Sequence, residues 1–332
     1  MTAVHREIID EPSAWVNAPK ENFLRQLSET ELTTIKRLLD DTRSIDPMDL
    51  TRDNFADPVL SNLVADVRRE MRDGPGAIVL AGLTPDRFDE DDDTRFYLAL
   101  GQHLGTRVIQ NYRGDLLTRV EQEVDKDNPY DARTKGRGYR HAGQANYHTD
   151  TDEVVGLMCI RRAASGGESV ITSATAIHND FVRNHPELLD ALYEGYWQAI
   201  GEDEVMTEEK SPVFGFLDGR LTVYCQFRAM RLAADKRGEP IPADLDAAMT
   251  YFYERAAANE AEFLLDDGEI LLWNNRNQLH GRRKFEDSEE RRRLLLRLWI
   301  HPDNPMRIPA NFAEFTKQRL RHAEFEALQS AA

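Results

Sequence analysis

The 332-residue sequence predicts an α+β protein with a mainly β core, built as a β-barrel or sandwich under helical cover. Three observations lead to this prediction. Apolar residues recur at helical intervals before residue 75, and short β-prone segments bounded by turn residues dominate after residue 147. Helical patterns interrupt those segments near 175–195 and 243–264, which predicts a helical insertion over about 175–265.

Residues 1–75 are expected to form a helical N-terminal cover. The stretch "SETELTTIKRLLDD" begins with Ser28 and Glu31 at the spacing of a capping box, in which each side chain accepts from the other's backbone N–H. The stretch "DPVLSNLVADVRREMRDG" continues the helical pattern and stops at Gly74. A third helix is predicted for "DEDDDTRFYLALGQHLG", because its acidic start suits the positive end of a helix dipole.

The core is expected to span residues 76–310 and to form one structural domain with its helices. Its first strand is predicted in "GAIVLAGL", an apolar run bounded by Gly and Pro. Further strands are predicted in "EVVGLMCIRRA", "ESVITSA", "WQAIGED", "GRLTVYCQFR", "EILLWNN" and "RRLLLRLWI". The polar, Gly-rich segment 107–147 predicts a lid loop beside a site, and the amphipathic segment 311–332 predicts a C-terminal helix.

Composition limits the classes of binding partner and the cellular compartment that we expect. The net charge is −17, which argues against nucleic acid and anionic membranes, because both are bound largely through Lys and Arg. Only two cysteines occur, Cys159 and Cys225, so we do not expect a disulfide framework. The expected compartment is the reducing cytoplasm. Neither a signal peptide nor an apolar membrane span is indicated. The terminal helices could pack on the barrel or on a second subunit, so a homo-oligomer is an open alternative.

One short pattern suggests a metal clamp. The spacing His-x-Asp/Glu occurs at His5/Glu7, His148/Asp150, His178/Asp180, His185/Glu187, His301/Asp303 and His322/Glu324. On a strand, residues i and i+2 share a face about 7 Å apart, whereas on a helix they lie on opposite sides. Three pairs fall in helix-like segments, one flanks a proline and one lies at the chain start. The pair that remains is His148 and Asp150, where a polar loop enters an apolar strand.

His280 is the candidate third ligand. It follows a predicted strand in the turn-like stretch "NNRNQLHGR". Two histidines and one carboxylate on one face of an ion are typical of non-haem Fe(II) oxygenases. The alternative is a histidine in a turn with no ligand role.

The stretch "RRLLLRLWI" adds a second signal. Strand alternation places Arg293 and Arg297 on the face opposite a nearly continuous apolar face. Buried arginine requires an anionic partner and suits a carboxylate, which it can bind through two parallel hydrogen bonds. The sequence therefore predicts an interior slot for a dicarboxylate, unless the arginine face is open to water.

Four motifs in order, "HTD", "GGES", "NNRNQLHGR" and "RRLLLRLWI", resemble the TauD/TfdA family of Fe(II)- and 2-oxoglutarate-dependent dioxygenases, within the clavaminate-synthase-like superfamily. The third motif also resembles the butyrobetaine-hydroxylase branch. The resemblance covers about residues 76–302. It implies a double-stranded β-helix, the cupin-like jelly-roll barrel, as the catalytic core.

The resemblance also implies roles for individual residues. The positions that match the family's metal ligands are His148, Asp150 and His280. Arg293 and Ser169 match the residues that bind the distal carboxylate of 2-oxoglutarate, and Arg297 could serve 2-oxoglutarate or the substrate. Two features depart from the pattern: Asn274 replaces an Asp, and the turn between His280 and Arg293 is longer than in the taurine enzymes.

The implied activity is hydroxylation of an unactivated C–H bond with Fe(II), 2-oxoglutarate and O2, releasing succinate and CO2. Desaturation or cyclisation are alternative outcomes, while a carboxylate at Asp150 argues against a halogenase. The expected substrate is a small polar molecule, such as an amino acid, a sulfonate or a natural-product intermediate. Asn146, Tyr147 and Asp152 are the further candidate substrate contacts. Two other classes remain open: a Zn(II) or Mn(II) hydrolase or isomerase on a cupin-like barrel, and a non-catalytic small-acid sensor.

Overall fold

The computed structural model describes residues 3–111, 114–122, 141–200 and 204–312. The α-helices in these ranges are α1 (Glu29–Asp41), α2 (Pro58–Arg72), α3 (Glu90–Leu104), α4 (Ala174–Asn184), α5 (Leu189–Glu194), α6 (Phe227–Arg237) and α7 (Ala243–Asn259). The first strands are β1 (Leu24–Gln26), β2 (Ala77–Ala81), β3 (Gly105–Arg107), β4 (Thr118–Val120), β5 (Ala145–His148), β6 (Val154–Arg161), β7 (Ser165–Gly166) and β8 (Ser169–Ser173). The later strands are β9 (Ala199–Ile200), β10 (Val205–Met206), β11 (Phe214–Leu217), β12 (Arg220–Val223), β13 (Ala261–Phe263), β14 (Ile270–Asn274), β15 (Gln278–Arg282), β16 (Phe285–Glu286) and β17 (Leu294–Pro302).

Helices α1 and α2 begin where the sequence predicts. The capping box at α1 is confirmed, since the Ser28 hydroxyl accepts from the backbone N–H of Glu31, and the Glu31 carboxylate accepts from the backbone N–H of Ser28 at 2.8 Å. Helix α2 has Asp57 as its N-cap residue and ends shortly before Gly74. None of the helices in the described part of the chain is long and apolar enough to cross a membrane.

Two β-sheets form the centre of the fold. The larger sheet has the order β1-β2-β14-β6-β17-β3, with β4 also paired to β17. The smaller sheet has the order β13-β8-β15-β5. Every pairing in both sheets is antiparallel except that of β1 with β2. The mixed α+β class predicted from the sequence is confirmed.

Strand alternation sorts the core into layers. On β17, Leu294 and Leu296 pack with α1, α2 and α3 in one hydrophobic cluster, whereas Leu295 and Trp299 face a second cluster between the two sheets. On the smaller sheet, Leu279 faces outwards into a third cluster formed with α4–α7. Helices therefore cover the outer face of each sheet, and the inner faces meet in the middle. Because successive side chains on a strand point to opposite faces, only every second residue of each strand points into this interior.

Four sequence expectations need correction or extend beyond the described residues. The strand predicted in "GRLTVYCQFR" ends at Val223, because the backbone N–H of Cys225 donates to the hydroxyl of Thr149 at 2.9 Å and α6 begins at Phe227. In the described part of "WQAIGED", the strand β9 covers Ala199–Ile200. The predicted lid loop 107–147 contains the strand β4 and most of β5 in its described part, while its residues 112–113 and 123–140 lie outside the described residues. Almost all of the segment 311–332 also lies outside them.

Asp93, in the first turn of α3, is expected to make stability depend on pH. Burial, and then the nearby carboxylates of Asp92 and Asp89, raise the pKa of Asp93 from 3.8 to about 8. The unfolded chain loses this proton near pH 4, so the contribution to stability is complete below about pH 4 and is lost as the pH rises to about 8. We expect Asp93→Asn to increase the free energy of unfolding by about 2–4 kcal/mol at pH 8.5 and to change it little at pH 4.

Chemical denaturation at the two pH values measures this difference. The Asp53→Asn variant is the control, because Asp53 is exposed in a turn outside α3 and removing its charge should leave the pH dependence nearly unchanged. An Asp93→Asn variant whose stability follows that of the parent chain at both pH values would contradict the prediction.

Candidate active site

Two histidines face each other on neighbouring strands of the smaller sheet. His148 ends β5, His280 lies in β15, and the antiparallel register pairs the two residues directly. Directly paired residues project from the same face of a sheet. Their imidazole centroids are 4.2 Å apart, so two residues far apart in the sequence converge on one point.

Asp150 follows β5 in a turn that a buried asparagine holds. The Oδ1 atom of Asn275 accepts from the backbone N–H of Asp150 at 3.0 Å, and its Nδ2 donates to the backbone carbonyls of Asp150 and Asp152 at 2.7 and 2.8 Å. These bonds satisfy the polar groups of a buried turn that lacks strand pairing. The sequence analysis singled out Asn274, which instead accepts from the backbone N–H of Arg276 at 2.9 Å.

The donor atoms of these side chains form a cluster suited to a divalent cation. His148 Nε2 lies 3.8 Å from Asp150 Oδ1, and His280 Nε2 lies 3.6 Å from Asp150 Oδ2. One donor atom from each residue lies within 4.8 Å of the others, a span that donors about 2 Å from a shared ion can reach. Among the described residues, this is the one group of His, Cys, Asp and Glu side chains with such geometry.

The protonation of the cluster also suits a metal. His148 Nδ1 lies 2.8 Å from the backbone carbonyl of Asn146, so a proton on Nδ1 leaves the lone pair of Nε2 for an ion. Burial lowers the pKa of His280 to about 3, which keeps its imidazole neutral. Burial alone would raise the pKa of Asp150, but its neighbours, above all the charge of Arg297, hold that pKa below its usual value. The set offers imidazole nitrogens and a charged carboxylate, the ligands of a divalent transition metal.

Arg293 is a buried cation with an unused donor. It is 3% exposed, its guanidinium lies 5.0 Å from the centroid of the Phe285 ring, and its Nη1 has no hydrogen-bond partner among the described residues. Burial lowers the pKa of Arg293 to about 10, so it remains charged at neutral pH. Ser169 lines the same small cavity. A buried charge of this kind is stable only with an anionic partner, so the cavity suits a carboxylate.

Gly167 explains why a glycine pair precedes Ser169. Its φ is +83°, a conformation that favours glycine. A Cβ atom at this position would lie 3.1 Å from the Cβ of Phe285 and 3.2 Å from Nε of Arg293. The glycine therefore lets the backbone approach the arginine that faces the cavity.

The sequence analysis missed a second arginine beside this cavity. Arg282 lies in β15 and is buried, and its guanidinium is 4.8 Å from the same Phe285 ring. Burial, and then the charge of Arg293, lower the pKa of Arg282 to about 9. Its Nη2 donates to the backbone carbonyl of His141 at 2.7 Å. Its position two residues after His280, on the same face of a strand, is the signal that could have revealed it.

Arg297 lies at the metal end of the interior. Its Nε donates to Oε1 of Gln110 at 2.8 Å, and its Nη1 lies 3.5 Å from Asp150 Oδ2. Its guanidinium also lies 4.7 Å from the centroid of the Trp299 ring. Both Arg293 and Arg297 are buried, so the alternative of an arginine face open to water is wrong.

The candidate substrate contacts divide by strand face. Asn146 is exposed and lies two residues before His148, so it projects from the same face as that ligand. Tyr147 projects from the opposite face, packs in the cluster formed with α4–α7, and its hydroxyl donates to the Glu260 carboxylate. The structure therefore corrects the expectation for Tyr147: a residue next to a strand ligand faces away from it.

Asp152 also differs from its expectation. It is buried rather than on an open strand face, and its Oδ1 lies 3.2 Å from Nδ1 of His301. The same oxygen accepts from the backbone N–H of Glu153 at 2.8 Å. These partners give Asp152 a place in the structure behind the metal cluster, which does not favour contact with a substrate amine.

Comparison with known proteins places this arrangement in a family. A family model described as "Taurine catabolism dioxygenase TauD, TfdA family" matches residues 41–299. The chain belongs to the TauD/TfdA family. The match begins before the predicted core and includes α2 and α3 as well as most of the strands of the two central sheets.

Curated relatives support this membership. FR-33289 synthase of Streptomyces rubellomurinus is 27% identical over 76% of this chain and 76% of its own length. The taurine hydroxylase-like protein SAT17 of Stachybotrys chartarum is 26% identical over 95% of this chain and 85% of its own length. A uridine-5′-phosphate dioxygenase of a Streptomyces species is 29% identical over 50% of this chain and 64% of its own length.

Solved structures share the fold. Asparagine oxygenase in complex with Fe(II), 3-hydroxyasparagine and succinate superposes with a TM-score of 0.68 at 17% identity, covering 84% of this chain and 93% of that one. The non-haem iron oxygenase OrfP, in complex with Fe and α-ketoglutaric acid, superposes with a TM-score of 0.64 at 15% identity, covering 84% and 94%. As a TauD/TfdA family member, the chain is an oxygenase that uses Fe(II), 2-oxoglutarate and O2.

Proposed function

We propose that this TauD/TfdA family member hydroxylates an unactivated C–H bond of a small polar substrate, with release of succinate and CO2. The observation that carries the proposal is the cluster of His148, Asp150 and His280, whose donor atoms lie within 4.8 Å of one another. The two facing sheets that hold the cluster are proposed to be the halves of a double-stranded β-helix, the jelly-roll barrel.

His148, Asp150 and His280 are proposed to hold Fe(II). Three protein ligands on one side of the ion would leave its other side for small molecules. When bound, Fe(II) and 2-oxoglutarate supply the activation of O2 that the side chains themselves cannot perform. The protein's part is to keep His280 neutral and Asp150 charged in a buried setting, as their pKa shifts indicate.

Arg293 and Ser169 are proposed to bind the distal carboxylate of 2-oxoglutarate. Support comes from the free Nη1 donor of Arg293 and from the cavity that the two residues share. The nearby charge of Arg282 supports the preference of this cavity for an anion, because burial and then the charge of Arg293 lower the pKa of Arg282, and an anion close to both guanidinium groups would offset their repulsion.

Arg297 is proposed to face an anionic group of the substrate. Arg293 and Arg297 are four residues apart on an extended chain, which separates their backbones by about 13 Å, so we expect the two side chains to bind different anionic groups. Arg297 lies beside Asp150 instead, at the metal end. Asn146 is the further proposed substrate contact, because it is exposed and shares the strand face of His148.

The class of substrate is proposed to be a small polar molecule such as an amino acid, a sulfonate or a natural-product intermediate. Relatives of this chain are named for taurine and for uridine-5′-phosphate, and the structural neighbours for asparagine and for hydroxyarginine complexes. These named compounds are small and polar, and taurine and uridine-5′-phosphate carry an acidic group that an arginine such as Arg297 could bind.

An anaerobic titration tests the proposal. Fe(II) is added to the metal-free protein with and without 2-oxoglutarate, and the weak visible charge-transfer band of the chelate is recorded. The band should require both additions and should weaken in His148→Ala and in Arg293→Ala. A folded protein that gives no band would overturn the proposed metal and cosubstrate sites. A band followed by no substrate-stimulated succinate release would overturn only the proposed substrate class.

A further inference from the structure

Trp299 touches the metal cluster through a single hydrogen bond. Its indole Nε1 donates to Asp150 Oδ2 at 2.7 Å, and the two residues are 149 positions apart in the chain. Trp299 lies on β17, on the face that points between the sheets, and is 9% exposed. The bond joins the larger sheet to the turn that follows β5 in the smaller one.

The bond occupies one oxygen of the candidate ligand. Oδ2 of Asp150 also has Nη1 of Arg297 at 3.5 Å and Nε2 of His280 at 3.6 Å, so it is the more crowded of the two carboxylate oxygens, and the indole N–H makes the short contact with it. No hydrogen bond from the described residues reaches Oδ1, which lies 3.8 Å from His148 Nε2. A carboxylate held through one oxygen presents the other in a fixed direction, and hydrogen bonds of this kind also stabilise its charge.

The same indole orders Arg297. The guanidinium lies 4.7 Å from the Trp299 ring centroid and is held on its other side by Gln110. A cation over an indole face is attracted by the ring. Trp299 therefore contacts both the carboxylate and the arginine that neutralises it, and a phenylalanine in its place would keep the second contact but lose the first.

We propose that Trp299 is a positioning residue for the metal centre: its indole N–H orients Asp150 so that Oδ1 is the oxygen offered to the ion. This inference rests on the proposed Fe(II) site and adds to it a residue that contacts no metal itself. Residues that hydrogen-bond to metal ligands commonly change metal affinity by about 10–100-fold when they are replaced.

The fold contains a matched control. Trp273 is fully buried, and its ring centroid lies 4.6 Å from that of His280, so it too packs against a candidate ligand. Its Nε1 has no hydrogen-bond partner among the described residues. Replacing either tryptophan by phenylalanine removes one indole beside the cluster, but only Trp299→Phe removes a hydrogen bond to a ligand.

Anaerobic titration with Co(II), followed by its visible d–d bands, gives the metal affinity without turnover. We expect Trp299→Phe to raise the Kd by about 10–100-fold and to shift the bands, whereas Trp273→Phe leaves the Kd within about threefold of the parent value. Equal Kd values for Trp299→Phe and the parent chain would overturn the inference, as would equal losses in both variants. A parent chain that binds no Co(II) would overturn the proposed metal site as well, so the two failures are distinguishable.

A second measurement needs no substitution at Trp299. The chain has four tryptophans, so its indole N–H resonances can be followed individually as diamagnetic Zn(II) is added. The Trp299 resonance should shift more than that of Trp273, because only its proton is shared with a ligand oxygen. A larger shift for Trp273 would overturn the inference even where Trp299→Phe does not fold.

Discussion

Replacing His280 with alanine is expected to reduce Fe(II)-dependent decarboxylation of 2-oxoglutarate by more than about 100-fold. The loss should exceed the 10–100-fold typical of residues that only support a metal ligand, because a proposed ligand atom itself is removed. His280 Nε2 lies 3.6 Å from Asp150 Oδ2 and its ring is neutral, so no other charge change accompanies the substitution. Succinate release and Fe(II) affinity measure the effect.

His185→Ala is the matched control for this substitution. Like His148, His185 is a histidine followed two positions later by a carboxylate, and its Nδ1 lies 3.0 Å from Oε1 of Glu187. Its side chain is exposed at the end of α4, away from the cluster. Parent-like activity in His185→Ala and loss in His280→Ala are expected, and retention of tight Fe(II) binding by His280→Ala would refute the assigned ligand set.

Arg293→Gln is expected to raise the KM for 2-oxoglutarate by about 10- to 150-fold. Hydrogen bonds to charged groups contribute about 1.5–3 kcal/mol, and each 1.4 kcal/mol corresponds to a tenfold change in affinity. Arg293 is buried with a free Nη1 donor, so its contribution to an incoming carboxylate is not screened by water. Initial rates at saturating substrate and varied 2-oxoglutarate measure the change.

The neighbouring Arg292→Gln variant tests whether this effect comes from position or from charge alone. Arg292 is exposed, whereas Arg293, the next residue, is buried and lines the cavity. We expect its KM for 2-oxoglutarate to remain within about twofold of the parent value, since exposed charges act weakly through water. Similar increases in both variants would show that general electrostatics, rather than the cavity, governs cosubstrate binding.

Much of the architecture could be predicted because the relevant signals are local. The capping box of α1 needs only Ser28 and Glu31, three residues apart. The two faces of β17 follow from period-2 alternation within one segment, and both arginines are buried, as the prediction of an interior carboxylate slot expected. The strand predicted through Cys225 failed for the opposite reason, because a contact with the distant Thr149 ends it.

Tyr147 shows that a residue next to a ligand in the sequence need not lie in the same site. The residue was chosen because it precedes His148, yet adjacent residues on a strand project to opposite sides. Its hydroxyl therefore reaches Glu260 in the outer layer rather than the interior. Arg282 was missed for a related reason, since its period-2 relation to His280 was present in the sequence but was not applied to that strand.

By itself, the sequence determined which metal-binding and anion-binding side chains this protein carries, and for most of them which face of a strand they occupy. It indicated His148, Asp150 and His280 as a ligand set from the His-x-Asp spacing at the start of a predicted strand and from a histidine expected in the turn after another strand. In the structure that histidine, His280, lies within β15 rather than in a turn. Only the tertiary structure decided that these atoms meet, that Asn275 holds the turn of Asp150, and that Trp299 donates to its carboxylate. The physical reason is that such contacts join residues more than 100 positions apart, and their geometry depends on how two sheets pack rather than on any local pattern.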